Sequence, residues 1–584
     1  MERGFDFLRR KYYEVFLPNI FVQLSDKIGT VLDNIVVGFL IGSFQLSALN
    51  AVSPFVLISA IIYTLYGQGG SLLALKAKSD LDSEKANEFF TLSIVGCVLS
   101  SLMYMLLIFI FADSLLHILN IPESIFESSK TYLLIITNFF TLNTYIKVLA
   151  YFLKSDGRAK LTLNSVIIAN ILNLVLNFLL FYLLGQNIAS IAWALVIGYL
   201  VSAVYISKYY IEKDANFKLV SITGFTFKQL SQFIITALHA TPELIGRVFL
   251  AIKTTALVYL SVTYLGPAGI LAFLAYDNIE TLVYLFVSGV IKTVSPFITL
   301  FYNEQDYPSV EYMAKLSTKH ILIFIIALST LFVIYPEIVL VLFNITGISE
   351  QMIVSMAVRI TSIGLIGRCM SLFIADYAQS ISASRISAII NFLREAILPF
   401  AFMIIFIPLF GGVGIWFTLS LSDIIPVFVY LAIVLYQKKK YSTLKNSALM
   451  IPESISFHWT GIRGNFEEMD EYMQESNKKI IENIKYVFDD DYLIITGALE
   501  DTVKNIFTVD KSMSEIDISI IINNGFLVLR FIYDGDAYNP FKNSELLKTD
   551  NIKSLNKFNH DFDYYNMFDM NFSYVKIFND SYSN

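Results

Sequence analysis

A carboxylate held in an apolar environment can take a proton, bind a sodium ion or pair with a neighbouring cation, and this sequence places several acids where only oil is expected. VLDNIVVG sets Asp33 about halfway along a long apolar run, and Asp26 lies two helical turns earlier on the same face. A charge at the centre of a membrane span costs roughly 2.5–3.5 kcal/mol, so a retained one faces a cavity or a partner. For Asp33 both a coupling role and a structural ion pair are open.

Other polar residues recur in apolar runs. Asn170, Asn173 and Asn177 share one helix face, as uncharged donors and acceptors for a cavity or as glue between helices. Asp277 and Glu280 share a stripe with Tyr284 and Ser288, either lining a pathway or resting near the outer membrane surface. In RCMSLFIADYAQS, Asp376 and Gln379 are neighbours on one face, with Arg368 two turns before. Lys253, in the same run as Arg247, sits deep enough to require an acid from another helix, as a structural pair or as a relay. Cys97 and Cys369 each lie in an apolar run, so neither a disulfide framework nor a cysteine metal site is expected.

These residues need spans to hold them. The chain is 55% hydrophobic with only 16% charged residues, too oily for an ordinary soluble domain. Runs of roughly 20 apolar residues recur between about 16 and about 436, and about twelve spans are expected. The start, MERGFDFLRRKYYEVFLPNIF, lacks the cleavage pattern of a secretory signal, so its apolar stretch is read as span one. Basic residues crowd alternate connections: Arg9, Arg10 and Lys11 before span one, Lys76 and Lys78 after span two, Lys154 and Arg158 after span four, and Lys438, Lys439 and Lys440 after the last. The connections between these clusters are nearly bare. The positive-inside rule then puts both termini in the cytoplasm. The net charge is a mild −7, with acids concentrated towards the end, and nothing suggests nucleic acid.

The two halves look duplicated. Pro18 and Pro242, Gly42 and Gly266, and Ala48 and Ala272 share an offset of 224. Two bundles of about six spans in one orientation place a transport cavity between them near the midplane.

From about residue 10 to about residue 437 the chain resembles the multidrug and toxic compound extrusion (MATE) family. The motifs are LPN followed by VLDNIVVGFLIG and SALNAVSPF, then GQGGSLLALKAKSDLDSEKANEFF, SDGRAKLTLNSVIIANILNLVLN and SASRISAIINFLREAILPF. The resemblance implies a polytopic α-helical membrane protein with two six-helix lobes, 1–222 and 223–441. It implies no enzyme but a cation-coupled antiporter in the plasma membrane, exporting small amphipathic or cationic compounds by alternating access. Asp33 falls on the acid the family places in its first helix, and Asp376 with Gln379 matches an acid and glutamine in the tenth helix of one branch. Two positions depart from the pattern: FLAIKTTAL offers Lys253 where some members have an acid, and Asn177 stands where another branch has Asp. Asn173 and Asn177 join the coupling candidates, with H+ or Na+ as the ion. Other readings are a lipid-linked oligosaccharide flippase of the same superfamily and a membrane-tethered signalling protein.

From 442 the pattern changes to a cytoplasmic α/β two-layer domain. ISFHWTGI reads as a strand, FEEMDEYMQESNKKIIENIKYVF as an amphipathic helix, and DISIIINN with GFLVLRFIYDG as two strands joined by an Asn-Gly turn. The order resembles the ATP-binding fold of histidine kinases and anti-sigma-factor kinases. By that resemblance Asp501 and Asn505 fall on the magnesium-handling pair and Gly535 on the adenine motif, where Tyr533 replaces the expected Asp. The stretch that should form a glycine-rich lid, KTDNIKSLNKFNHDFDYYNMFDMN, has no glycine. The nucleotide site is therefore read as vestigial, with ATP and other cofactors not expected, and 442–584 as a regulatory tail able to bind a cytoplasmic protein.

Overall fold

The structure is a computed structural model that describes residues 5–578 apart from 80–81, 138–139, 156–157, 184–186, 212–216, 221–226, 241–242, 305, 441–443, 447–448, 453–454, 463–491, 510–512, 514, 524–525, 543–545 and 568–569. Pro242, the expected amphipathic helix of the tail and the Asn-Gly turn lie outside the described residues, as does the side chain of Asp26.

Among the described residues the membrane part is built of helices. In chain order the helices are α1 (Asp6–Ala51), α2 (Ser53–Tyr63), α3 (Gly70–Ser79), α4 (Ser83–Ile118), α5 (Glu123–Thr137), α6 (Phe140–Ser155), α7 (Ala159–Leu183) and α8 (Ile188–Ile211). They continue with α9 (Phe227–Ala240), α10 (Glu243–Asn303), α11 (Tyr307–Ile334), α12 (Glu337–Leu342), α13 (Ile348–Ser380), α14 (Ser384–Phe392), α15 (Leu398–Phe410) and α16 (Val413–Lys440). Helix is the forced choice for such oily segments, because a backbone in lipid must satisfy its polar groups internally. Among the described residues ten helices are long and apolar enough to cross a membrane. One of them, Gly246–Asn303, has 58 residues and so a contour of about 87 Å, far more than one crossing needs. Its backbone leaves the helical region at Gly266 (φ 61°, ψ −150°). The same happens in α1 at Gly42 (φ 82°, ψ 165°), its partner in the sequence repeat. Positive φ is readily open only to glycine, so the repeat conserves a break as well as a composition.

The described chain forms two compact units: Met1–Asn19 with Lys292–Ser317 and Leu431–Asn584, and Ile20–Ile291 with Thr318–Tyr430. The second unit is the helical bundle. Lipid gives no hydrophobic drive between helices, so packing and polar contacts hold it. The Ser129 hydroxyl donates to the Ala48 carbonyl at 3.1 Å, and Tyr104 donates to the Phe55 carbonyl at 2.7 Å.

The first unit holds the tail. After a short pair, β1 (Leu444–Asn446) and β2 (Ile451–Pro452), come β3 (Ile455–Ile462), β4 (Glu515–Asn523), β5 (Phe526–Tyr533), β6 (Asn559–Met567) and β7 (Met570–Phe578). The last five make one sheet in the order β3-β4-β5-β7-β6, antiparallel at every pairing. The strands expected at ISFHWTGI, DISIIINN and GFLVLRFIYDG are β3, β4 and β5. Helix α17 (Tyr492–Val509) lies on one face, where Ile495, Val503 and Ile506 pack with Ile518, Leu529 and Val575. Period-2 alternation in the strands and 3.6-period spacing in α17 supply the two apolar faces of this layer pair.

Candidate functional site

Asp33 lies on α1, downstream of Asp26 and before the break at Gly42, with its side chain half-buried. Asn173 and Asn177, one turn apart on α7, both reach it. Asn173 donates an amide N–H to Asp33 Oδ1 at 2.7 Å, and Asn177 donates to the same oxygen at 2.5 Å. Both asparagines are buried, and their own Oδ1 atoms have no hydrogen-bond partner among the described residues. Tyr132 and Tyr199 lie within electrostatic reach of Asp33. Next to Asp33 on α1, Asn34 donates to Asn278 Oδ1 at 3.1 Å.

Two amide donors on one carboxylate oxygen suit the ionised acid. Rotating either amide by half a turn exchanges N for O, and then offers an oxygen to a protonated Asp33 or to a hard cation beside it. The two amides can therefore offer donors to a bare carboxylate or acceptors to a neutralised one.

A second polar centre lies in the later half. Glu395 accepts from Lys253 Nζ at 2.5 Å, from Arg394 Nε at 2.9 Å and from Arg368 Nη1 at 3.3 Å. Arg368 also pairs with Glu280 and with Asp423, the latter at 3.2 Å. Three cations meet three acids, and Lys253, Arg368, Arg394 and Asp423 are buried. Gly367 makes the meeting possible: a Cβ there would lie 2.5 Å from Ile424 Cα, so only glycine lets α13 come this close to α16. Arg394 and Glu395 occupy a π-helical stretch, Leu393–Ile397, whose widened turn presents both to the cluster.

Lys253 thus has the cross-helix acid its depth demanded. Glu280 joins the cluster, whereas Asp277 is exposed. On α13, Asp376 is half-buried, as Asp33 is, and Gln379 is exposed. Arg247 is half-buried. Sequence reasoning missed Glu395, Arg394 and Asp423 as site residues; the available signal was charge within the apolar runs NFLREAILPF and WFTLSLSDIIPVF. Among the described residues no group of three or more His, Cys, Asp or Glu side chains is arranged to hold a metal ion.

In the tail, Asp501 and Asn505 lie one turn apart on α17, and each is engaged by the chain itself. Asn551 of α18 (Asp550–Ser554) donates to Asp501 Oδ2 at 3.1 Å, and the Tyr538 hydroxyl donates to Asn505 Oδ1 at 2.5 Å. Gly535 has φ 108° and lies in the segment leading to Tyr538.

Comparison with known proteins gives this geometry a setting. The MatE family model matches residues 18–179, the stretch that contains Asp33, Asn173 and Asn177. The inward-facing conformation of a multidrug resistance MATE family transporter of the MOP superfamily superposes with TM-score 0.63 at 18% identity, over 72% of this chain and 99% of that one. The membrane part has the MATE fold. A MOP superfamily transporter from Pyrococcus furiosus, described as having a binding pocket of reversed polarity, matches with TM-score 0.56 at 17% identity, over 75% of this chain and 96% of that one. An outward-facing conformation of a MATE transporter matches with TM-score 0.54 at 17% identity, over 74% and 96%. No curated protein matches the chain by sequence. These structures are matched over nearly their full length, and about a quarter of this chain lies beyond each match.

Proposed function

We propose that the chain is a secondary transporter of the plasma membrane, an antiporter that exports small amphipathic or cationic compounds in exchange for H+ or Na+. The observation that carries this reading is the Asp33 carboxylate, held within the membrane by the Asn173 and Asn177 amides. An antiporter needs a group whose occupancy by the ion lowers affinity for the substrate, and the reverse, by the same coupling free energy. A single intramembrane carboxylate that is bare or neutralised meets that need. Existing matches to inward-facing and outward-facing MATE structures support alternating access.

Twelve crossings follow if the break at Gly266 separates two spans and the bent pair of α5 and α6 counts as one. With the charge bias of the connections, both termini are cytoplasmic and the tail faces the cytoplasm. The tail works as a regulatory domain descended from the kinase-type ATP-binding fold, with no ATPase or kinase activity, because Tyr538 and Asn551 engage the side chains a magnesium nucleotide would need. The C-half cluster balances three cations with three acids, which argues against the strongly cationic cavity of a lipid-linked oligosaccharide flippase. Efflux of a fluorescent organic cation from cells carrying the wild type or Asp33→Asn tests the proposal. Loss in the variant is expected. Wild-type protein that exports nothing across a range of such cations, under both proton and sodium gradients, overturns it.

A further inference from the structure

The central strands β4, β5 and β7 of the tail sheet are buried on both faces, and the face away from α17 carries charge. Ser519, Arg530 and Tyr574 are register partners across β4, β5 and β7. Arg530 is fully buried. Its guanidinium donates to Ser519 Oγ at 2.7 Å, to Glu304 Oε2 at 2.5 Å and to Asp306 Oδ2, and stands 5.4 Å from the centroid of the Phe301 ring. The Tyr574 hydroxyl donates to the other oxygen of Glu304. Glu304 and Asp306 belong to the connection between α10 and α11, and Asp306 also accepts from the Ser309 backbone N–H at 3.2 Å, at the start of α11. Around this row Ile521, Ile532 and Phe572 are fully or almost fully buried.

A second contact joins the same tail to the start of α1. Arg10 pairs with Asp534 at 2.9 Å and with Glu515 at 3.1 Å. Within the same unit, Phe5 of the N-terminal segment stacks on Tyr312 of α11 at 4.2 Å, and Asn19 donates to Thr293 at 3.1 Å. The unit thus combines the tail, the helix start that leads to Asp33 and the connection between the eighth and ninth spans of the twelve-span reading.

We propose that the tail is a brace, docked on the beginning of the first transporter half and on the α10–α11 connection of the second, which stabilises the arrangement in which both contacts form. Alternating access moves one half against the other. A body bound to both ends shifts the population towards the state in which it fits both, and whatever draws the tail away releases it. The effect on transport rests on the antiport reading; the docking itself does not.

The test uses the full chain with spin labels at Arg9→Cys and Lys315→Cys, both exposed, while Cys97 and Cys369 are buried. One narrow distance distribution is expected. Glu304→Gln with Asp306→Asn, which removes both negative charges that face Arg530, adds a second population. Arg10→Glu, which reverses a half-exposed charge facing Asp534 and Glu515, shifts the population ratio by roughly twofold or more. In a transporting preparation Arg10→Glu also changes the exchange rate. Distributions that stay the same in the variants overturn the brace, whatever Asp33→Asn does to transport; altered distributions with no transport leave the brace standing and remove the antiport reading.

Discussion

Asn177 donates to Asp33 Oδ1 at 2.5 Å from a helix that lies 144 positions further along the chain. That link makes the charge state of one side chain a property of two helices. A hydrogen bond to a charged group is worth about 1.5–3 kcal/mol, so Asn177→Ala should shift the apparent affinity for the coupling ion by roughly tenfold or more. The ion dependence of substrate exchange measures it. Asn173→Ala should act in the same direction, and an unchanged ion dependence in both would leave the two amides a structural role only.

The C-half cluster calls for a different outcome. Glu395 accepts from Lys253, Arg368 and Arg394, so Glu395→Leu leaves three cations around an apolar residue and should destabilise the protein by about 3–5 kcal/mol. Adding Lys253→Met removes one of the stranded charges and should recover part of the loss. Thermal denaturation in detergent reads both. Equal losses in the single and the double variant would show that Lys253 and Glu395 are not energetically coupled.

How much of this was legible in the sequence depends on range. The membrane-spanning helices, about twelve expected and ten found among the described residues, and the strands β3, β4 and β5 followed from local composition and period, because lipid and a two-layer core each impose a pattern on consecutive residues. The Gly42 and Gly266 breaks appeared as a repeated glycine, although nothing local said that the helix stops there. That Asp33 meets Asn173 and Asn177 was within reach only as a set of polar stripes, since which stripe faces which is decided by helix packing. Glu395 and Asp423 went unnoticed for the same reason: a charge in an apolar run shows that a partner exists, and only the packing of α13 on α16 shows which. Arg530 reads as one polar residue in an alternating strand, yet its two carboxylate partners lie more than 200 positions away.

The tail offers a pH test outside the membrane. Burial pushes the Glu515 carboxyl up from its ordinary value, against the pull of Arg10. The folded chain therefore binds this proton more tightly than the unfolded chain. The stabilisation it gives is complete below the ordinary glutamate value of about 4.3 and is lost as pH rises through the raised folded value. Glu515→Gln should flatten that part of the stability–pH curve, read from melting of the full-length protein between about pH 4 and pH 7. A wild-type slope retained in the variant would assign the titration to another group.

Tyr538 and Asn551 already hold Asn505 and Asp501. Calorimetric titration of the full-length protein with magnesium and ATP should show no binding at millimolar nucleotide. Micromolar affinity would mean that the α18 segment yields its place, and that the tail reads nucleotide.

In the proposed antiporter, Asp33 couples the ion to the substrate. The direct measurement is uptake of a fluorescent organic cation into proteoliposomes under an imposed proton or sodium gradient, comparing wild type with Asp33→Asn. The asparagine keeps the size of the side chain and cannot change charge, so gradient-driven uptake should fall to the protein-free level while the variant still folds and binds substrate. Gradient-driven uptake at the wild-type rate in Asp33→Asn would contradict the account.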